Sequence, residues 1–421
     1  MESMHNMKNT PIGLIPEGWS ARPLGDLCEI HGRIGFRGYT KADLVRKGEG
    51  AITFSPSDIE DQRISYKDCD YISWAKYIES PEIQVNEGDI LFCKTASIGK
   101  CAQIWDLKEK ATINPQFVLL NAFKCNSSLL YYMLAFSSFQ NRVLVITGGS
   151  TIPTISQEAM KKQLIPIPNN PEEQKRIAET LLSVDKIIGA LDEAIAKKRQ
   201  IKEGLMQQLL TGKTRLPGFC GEWLPKNLGK SALIKARIGW QGLTTKEYLD
   251  SGVYYLITGT DFKDGRIDWK NCHYVTRDRF EQDPYIKIQK HDVLVSKDGT
   301  IGKVAYLDDI PGPGTLNSGV FVIRSKDKQI SQRYLAKVFV SKYFDDFIDS
   351  IVAGSTIVHL YQKDIVKFDF MIPPSIEEQE RVCDFLEGVD NEIICLESKR
   401  DKYASLKQGM MQVLLTGKTR L

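Results

Sequence analysis

The chain is written twice, and this constrains its fold more than any local motif does. The segment WSARPLGDLCEIHGRIGFRGYT from Trp19 returns from Trp223 as WLPKNLGKSALIKARIGWQGLT, so that Arg33, Ile34, Gly35, Phe36 and Gly38 fall on Arg237, Ile238, Gly239, Trp240 and Gly242. DIEDQRISYKDCDYI from Asp58 aligns with DFKDGRIDWKNCHYV from Asp261, and GDILFCKTASIGK from Gly88 with HDVLVSKDGTIGK from His291. Each half then carries a Gly-Ser-Thr loop (149–151 and 354–356), an Ile-Pro segment, an EEQ triplet at Glu172 or Glu377, a long helical pattern, and LLTGKTRL ending at Leu216 or Leu421. A duplicated unit of about 205 residues accounts for the whole chain.

Within each unit the period of the apolar residues changes once. DILFCK, FVLLNAF and QLIPIPN in the first half, and DVLVSK, GVFVIRS and KFDFMIP in the second, have the length of strands in a compact mixed α/β domain. After Pro171 the apolar side chains recur at Ile177, Leu181, Val184, Ile188, Leu191 and Ile195, and in the copy at Val382, Phe385 or Leu386, Val389, Ile393 and Leu396. Steps of four and three keep such residues on one helical stripe. Glu172 and Glu173 suit the positive end of a helix, and Gly212 and Gly417 are stops. A helix over 172–210 would be roughly 58 Å long at 1.5 Å per residue. The segment of equal length and pattern that can cover its stripe is its own copy, which predicts an intramolecular coiled-coil-like pair; packing of each helix on its own domain is the simpler alternative.

The expected fold class is therefore α/β: two mixed α/β domains separated by two long antiparallel helices, with intramolecular pseudo-twofold symmetry. The expected divisions are a first domain over 1–170, a central long-helix spacer over 171–216, a second domain over 217–375 and a C-terminal long-helix spacer over 376–421. The unit is cyclic in register, because LTGKTRL at 210–216 runs on into PGFCGEW, whereas the same heptapeptide closes the sequence at 415–421 and the chain begins near IPEGW.

Apolar residues make up 42% and charged residues 26% of the 421 residues, a soluble globular profile. No apolar run approaches the roughly 18–20 residues that span a bilayer, and MESMHNMKNT lacks an apolar signal core, so a cytoplasmic protein without membrane contact is expected. Nine scattered cysteines without a CxxC pair point to reduced thiols, and the neighbouring Cys272 and His273 have no second pair with which to build a metal site. The net charge of +3 does not advertise nucleic acid, so any DNA-binding surface must be local.

Catalytic constellations are not found. LLTGKT follows a helix and has Gln207 or Gln412 where a P-loop needs glycine. Asn114-Pro115-Gln116-Phe117 only faintly resembles the Asn-Pro-Pro-aromatic loop of amino-methylating enzymes, its copy is Asn317-Ser318-Gly319-Val320, and a strand boundary explains it better. Asp89 and Lys94 lack the second acid of a nuclease site, and Asp58 and Asp261 sit where they can cap turns. The expectation is a chain with no catalytic, cofactor-binding or metal-binding residues.

Three pairs of segments suit DNA. Lys94, Thr95, Ser97 and Lys100, copied as Lys297, Asp298, Thr300 and Lys303, lie in loops that offer small residues for close approach, hydroxyls and positive charge. Arg33 and Arg37, with partners Arg237 and Gln241, have side chains able to read base edges. Ser150, Thr151, Ser355 and Thr356 of the Gly-Ser-Thr loops can donate to phosphate or simply cap turns. Ordinary surface solvation is the competing role for the lysines, and core packing is expected of Phe36 and Trp240.

The arrangement resembles the specificity subunit of type I restriction-modification enzymes over nearly the entire chain. The resemblance is carried by Trp19 and Trp223, GDILF…IGK and HDVLV…IGK, the Gly-Ser-Thr loops and the EEQ-led helices closing in LLTGKTRL. It implies a non-catalytic protein whose two target-recognition domains each read one part of a split asymmetric site in double-stranded DNA. It also implies paired helices that set the half-site separation and dock two modification (methyltransferase) subunits, with restriction/translocase subunits in the full complex. S-adenosylmethionine, ATP and magnesium would belong to those partners. A helix of roughly 58 Å spans about 17 base pairs at 3.4 Å per step. The competing readings are a symmetric protein-assembly scaffold without sequence-specific DNA reading, and a duplicated methyltransferase or endonuclease.

Overall fold

The computed structural model describes residues 7–147, 152–263, 265–352 and 359–421, apart from the side chains of Phe36, Trp240 and Val352. It divides into two compact units, one formed by Met1–Asp192 with Ser398–Leu421 and the other by Glu193–Glu397. Both are mixed α/β, as the change of apolar period predicts.

In the first unit a four-stranded sheet runs in the order Cys101–Gln103, Ile90–Cys93, Phe117–Asn121, Glu29–His31. Its central strands are apolar at nearly every position because both faces are covered. Ile90, Phe92, Val118 and Leu120 point to a core shared with the helices Ser127–Ala135 and Ser137–Thr147. Leu91, Cys93, Phe117 and Leu119 point the other way, into a core shared with Ile52, Phe54 and Ile113 of a five-stranded sheet. The strict alternation of partners along ILFC and FVLL is the two-residue period of a strand. In the second unit the four-stranded order is Val304–Tyr306, Val293–Ser296, Val320–Ser325, Ala232–Lys235, with Val293, Val295, Phe321 and Ile323 on the helix side and Leu294, Val320 and Val322 on the other. The two units therefore repeat one topology. In each, a two-stranded ribbon leads into a long helix: Trp19–Pro23 with Leu164–Pro168, and Leu224–Asn227 with Asp369–Ile372.

The long helices are Pro171–Leu209 and Ile376–Leu414, each of 39 residues. Proline opens the first, where its missing N–H costs nothing, and the Asn170 side chain accepts from the Glu172 N–H at 2.9 Å. Gly212 and Gly417 follow the two ends with φ of +72° and +68°. That left-handed conformation suits glycine, and the space demands it as well: a Cβ on Gly212 would lie 3.0 Å from the Trp223 ring, and one on Gly417 would run into Pro16.

Each unit takes the N-terminal half of one long helix and the C-terminal half of the other. Ile177, Ala178 and Leu181 share the first unit's core with Met411, Leu414, Leu415 and Trp19. Val382, Cys383 and Leu386 share the second's with Leu209 and Leu210. Of the predicted stripe, Ile177, Leu181, Val184, Ile195, Val382 and Ile393 are buried and Ile188, Leu191, Val389 and Leu396 half-buried; Leu386 takes the core position and Phe385 is exposed.

Ion pairs set the register of these helix segments. In the first unit the buried Glu173 carboxylate accepts from Trp19 Nε1 at 3.2 Å and is forked by the Arg420 guanidinium, while Lys407 pairs with Asp185 at 2.8 Å. In the second, Arg215 forks the buried Glu378, and Lys202 and Lys198 pair with Asp390 and Glu392 at 2.5 Å. Partners run in opposite order along the two segments of each unit. One detail is not repeated: Trp223 Nε1 is buried without an acceptor among the described residues.

A second difference concerns a buried carboxylate. Asp292 lies opposite Arg324, whose Nε and Nη2 donate to it at 2.6 and 2.7 Å. The equivalent Asp89 lies opposite Asn121, and burial pushes its carboxyl up from 3.8 to about 6.

Two outcomes follow. Arg420→Met should destabilise the chain by about 3 kcal/mol, because it strands the buried Glu173 charge, and adding Glu173→Gln should recover much of that loss; an additive double variant in denaturant melts would contradict the pairing. For Asp89 the folded-state pKa lies above the unfolded one, so its contribution is fully present below pH 3.8 and is lost as pH rises toward about 6. Asp89→Asn should remove that part of the fall in melting temperature over this window, as measured by calorimetry at a series of pH values.

Candidate nucleic-acid interface

In each unit four segments far apart in sequence meet at one end of the central sheet. In the first, the loop after strand Ile90–Cys93 is held by Lys94 N–H donating to Gln116 O at 2.8 Å, Ile155 N–H donating to Lys94 O at 2.9 Å, and a bridge between Thr95 and Thr154. In the second, Lys297 N–H donates to Gly319 O at 2.8 Å and Leu360 N–H to Lys297 O at 2.9 Å. The fourth segment is the Arg-Ile-Gly turn, tied in by its arginine.

That arginine is buried in both copies. Arg33 Nε and Nη2 donate to Ile113 O and Thr112 Oγ1 at 3.1 and 3.2 Å, and the guanidinium carbon lies 5.2 Å from the Tyr39 ring centre. Arg237 Nε and Nη2 donate to Leu316 O and Thr315 Oγ1 at 2.8 and 3.0 Å. Burial lowers the pKa of both guanidinium groups, which remain charged. The base-reading role expected of Arg33 and Arg237 is not what this placement displays: their forks hold the turn against the strand that precedes Asn114 or Asn317. Gln241 is likewise buried, and Arg37 pairs with Glu82.

The lysine loops divide in the same manner. Lys100 Nζ donates to Pro56 O and Ile59 O at 3.2 and 3.4 Å, which ties the loop to the neighbouring hairpin. Lys94 is half-buried beside Gly32 and Gln157, and burial lowers its pKa. Ser97, Thr300 and Lys303 are exposed, and Thr95 and Lys297 half-exposed. Ser150, Thr151, Ser355 and Thr356 lie outside the described residues, as do the side chains of Phe36 and Trp240.

The acids and the Asn-Pro-Gln segment take the structural roles anticipated. Asp58 accepts from Ser55 N–H at 2.6 Å and Asp261 from Thr258 N–H at 2.7 Å, and Asn114 follows the end of strand Ala111–Ile113. Among the described residues no three His, Cys, Asp or Glu side chains are grouped to hold a metal ion. Two residues of the repeated turn carry a signal to which the sequence alone assigns no role. Ile34 and Ile238, 40% and 53% exposed, stand directly after the buried arginines, and their signal was the exact repetition of an apolar residue in a glycine-rich turn.

The family model described as "Type I restriction modification DNA specificity domain" matches residues 16–202 and 241–406. A putative type I restriction enzyme MjaX specificity subunit of Methanocaldococcus jannaschii is 26% identical, over 99% of this chain and 97% of its own length. The type I restriction enzyme MjaVIII specificity subunit of the same organism is 25% identical, over 100% and 96%. Among solved structures, the S subunit of a type I restriction-modification system from M. genitalium aligns with a TM-score of 0.57 at 16% identity, covering 94% of this chain and 96% of that one. A chain from a structure addressing complex assembly and conformational transition of the type I R-M system aligns with a TM-score of 0.59 at 17% identity, covering 96% and 99%. At these identities the two structures speak for the fold alone.

Because Arg33 and Arg237 brace backbone carbonyls, Arg33→Met or Arg237→Met should each cost about 2–3 kcal/mol of stability. Ser97→Ala and Thr300→Ala should leave the melting curve unchanged. An Arg33→Met protein that melts like the parent would show that the guanidinium is not a brace.

Proposed function

Because the chain belongs to the type I restriction modification DNA specificity domain family, we propose that it chooses the DNA sequence on which a type I complex acts, one unit reading each half of a bipartite, asymmetric site. The observation that carries this reading is the repeated convergence described above: one framework built twice, alike at Ser97 and Thr300 and at Ile34 and Ile238 but unlike at partly exposed positions such as Thr95 and Asp298. Two like frameworks favour two half-sites, and unlike exposed residues favour two different sequences.

In this reading the chain is non-catalytic and works in the cytoplasm. The domains are 1–170 and 217–375, and the spacers 171–216 and 376–421 are antiparallel helices about a pseudo-twofold axis that hold the half-sites at a constant separation. Two modification subunits dock on it and restriction/translocase subunits join them; these partners bring S-adenosylmethionine, ATP and magnesium. The names of the M. jannaschii relatives, both specificity subunits, support the assignment. In this reading Ser97, Thr300 and Lys303, with Thr95 and Lys297, contact the DNA, and their full or partial exposure supports that role. Ile34 and Ile238 join them as apolar contacts, for instance with a thymine methyl.

The test is selection from a randomised duplex library by the chain bound to its modification subunits, with the isolated chain in parallel. Two short fixed motifs at constant separation are expected from the complex. Binding governed by salt alone, with no motif recovered, would replace this reading with that of an assembly scaffold.

A further inference from the structure

The two interfaces are superimposable in backbone role and opposed in chemistry at one place. Because Ile155 and Leu360 make the same hydrogen bond to Lys94 and Lys297, the segments around them correspond residue by residue. Thr95 and Thr154 of the first unit then stand where the second has Asp298 and His359, Ser156 stands where it has Tyr361, and Glu158 where it has Lys363. The first unit presents hydroxyls and an acid. The second presents an acid, two rings and a lysine.

Geometry joins the second set into a ladder. His359 Nδ1 is bonded to Asp298 Oδ1, the His359 and Tyr361 rings are 4.4 Å apart at 56°, and Lys363 Nζ lies 5.3 Å from the Tyr361 ring centre. The segment is anchored beneath, since Leu360 is 1% exposed and the Gln362 side chain donates to Ile234 O at 3.2 Å. Tyr361 itself is 52% exposed.

Local stability does not explain the tyrosine. Both residues precede a short helical turn, and Ser156 caps its turn by accepting from Ala159 N–H at 3.1 Å, whereas Tyr361 makes no side-chain cap. The second unit has given up a favourable capping residue for an exposed ring. Glu158, in turn, is bound to Lys161 at 2.9 Å, so the first unit carries a paired acid at the position of Lys363.

We propose that Asp298, His359, Tyr361 and Lys363 form a DNA-gripping ladder that belongs to the second unit alone and helps to set the sequence it reads. The inference rests on the DNA-reading function proposed above. Lys363 supplies charge to a phosphate and the Tyr361 face packs on sugar or an exposed base edge. Asp298 is an acceptor that phosphates repel. Paired with His359 it is suited to a base amino group, the N4 of cytosine or the N6 of adenine.

The test exchanges one chemistry for the other in the full chain, complexed with its modification subunits. H359T/Y361S/K363E puts the first unit's side chains into the second, and Y361S alone, which restores a capping hydroxyl, is the variant safest for folding. In library selection the triple variant should keep the first unit's motif and lose information in the second, with affinity for the parent site down about tenfold or more. Lys363→Ala should lower the salt slope by about one. A triple variant that selects both parent motifs at parent affinity would overturn the ladder while leaving the bipartite function standing. A parent complex that selects no motif would instead remove the function on which the ladder rests.

Discussion

The buried carboxylate at the head of each long helix is the interaction on which the rest depends. Glu173 and Glu378 are almost wholly removed from water, and each is made tolerable by an arginine that follows the end of the other helix, Arg420 or Arg215. An ion pair in such a place contributes little net stability over an apolar pair, but a misplaced one is costly, so it enforces register. The register brings Lys407 to Asp185 and Lys202 to Asp390, lays the apolar stripes against each other, and seats each Gly-capped helix end beside the tryptophan that opens the unit. Glu, Arg, Gly and Trp are thus parts of one closure made twice. LLTGKTRL supplies the glycine and the arginine of that closure.

The framework was legible in the sequence because it rests on periodicities that a single strand or helix displays by itself. Alternation along ILFC and FVLL gives the two-faced central strands, and the four-three spacing from Ile177 foretells a helix whose observed ends, Pro171 and Leu209, fall within a residue of those expected. The candidate interface was legible as a set of segments and much less so residue by residue. Arg33 looks like a base reader until its partners, Ile113 O and Thr112 Oγ1, are known, and nothing local reveals acceptors so distant in sequence. Lys100 likewise looks like a phosphate contact but spends its protons on the carbonyls of Pro56 and Ile59. Long basic side chains have many ways to be satisfied, whereas apolar ones have essentially one.

Duplication supplies an internal control that a single domain lacks. Where both copies keep a feature and bury it, as with the arginine or the capping acids Asp58 and Asp261, the feature belongs to the fold. Where one copy departs, two explanations separate cleanly. Asp89 opposite Asn121, against Asp292 opposite Arg324, is a difference inside the sheet and bears on stability. Tyr361 against Ser156 is a difference on the surface, made against local preference, and bears on what is bound.

The sharing of helices also orders the birth of the molecule. Residues 193–397, which make up the second unit, are continuous in the chain, but the first unit needs Met411, Leu414, Leu415 and Arg420 to cover Ile177, Leu181 and Trp19. As the chain leaves the ribosome, the half that emerges first must wait with its apolar stripe uncovered until the last turn of the final helix arrives, while the half that emerges later closes before it. The domain made first is the domain completed last, and a nascent chain has its greatest need of chaperone cover early, at the N-terminal half of its first long helix.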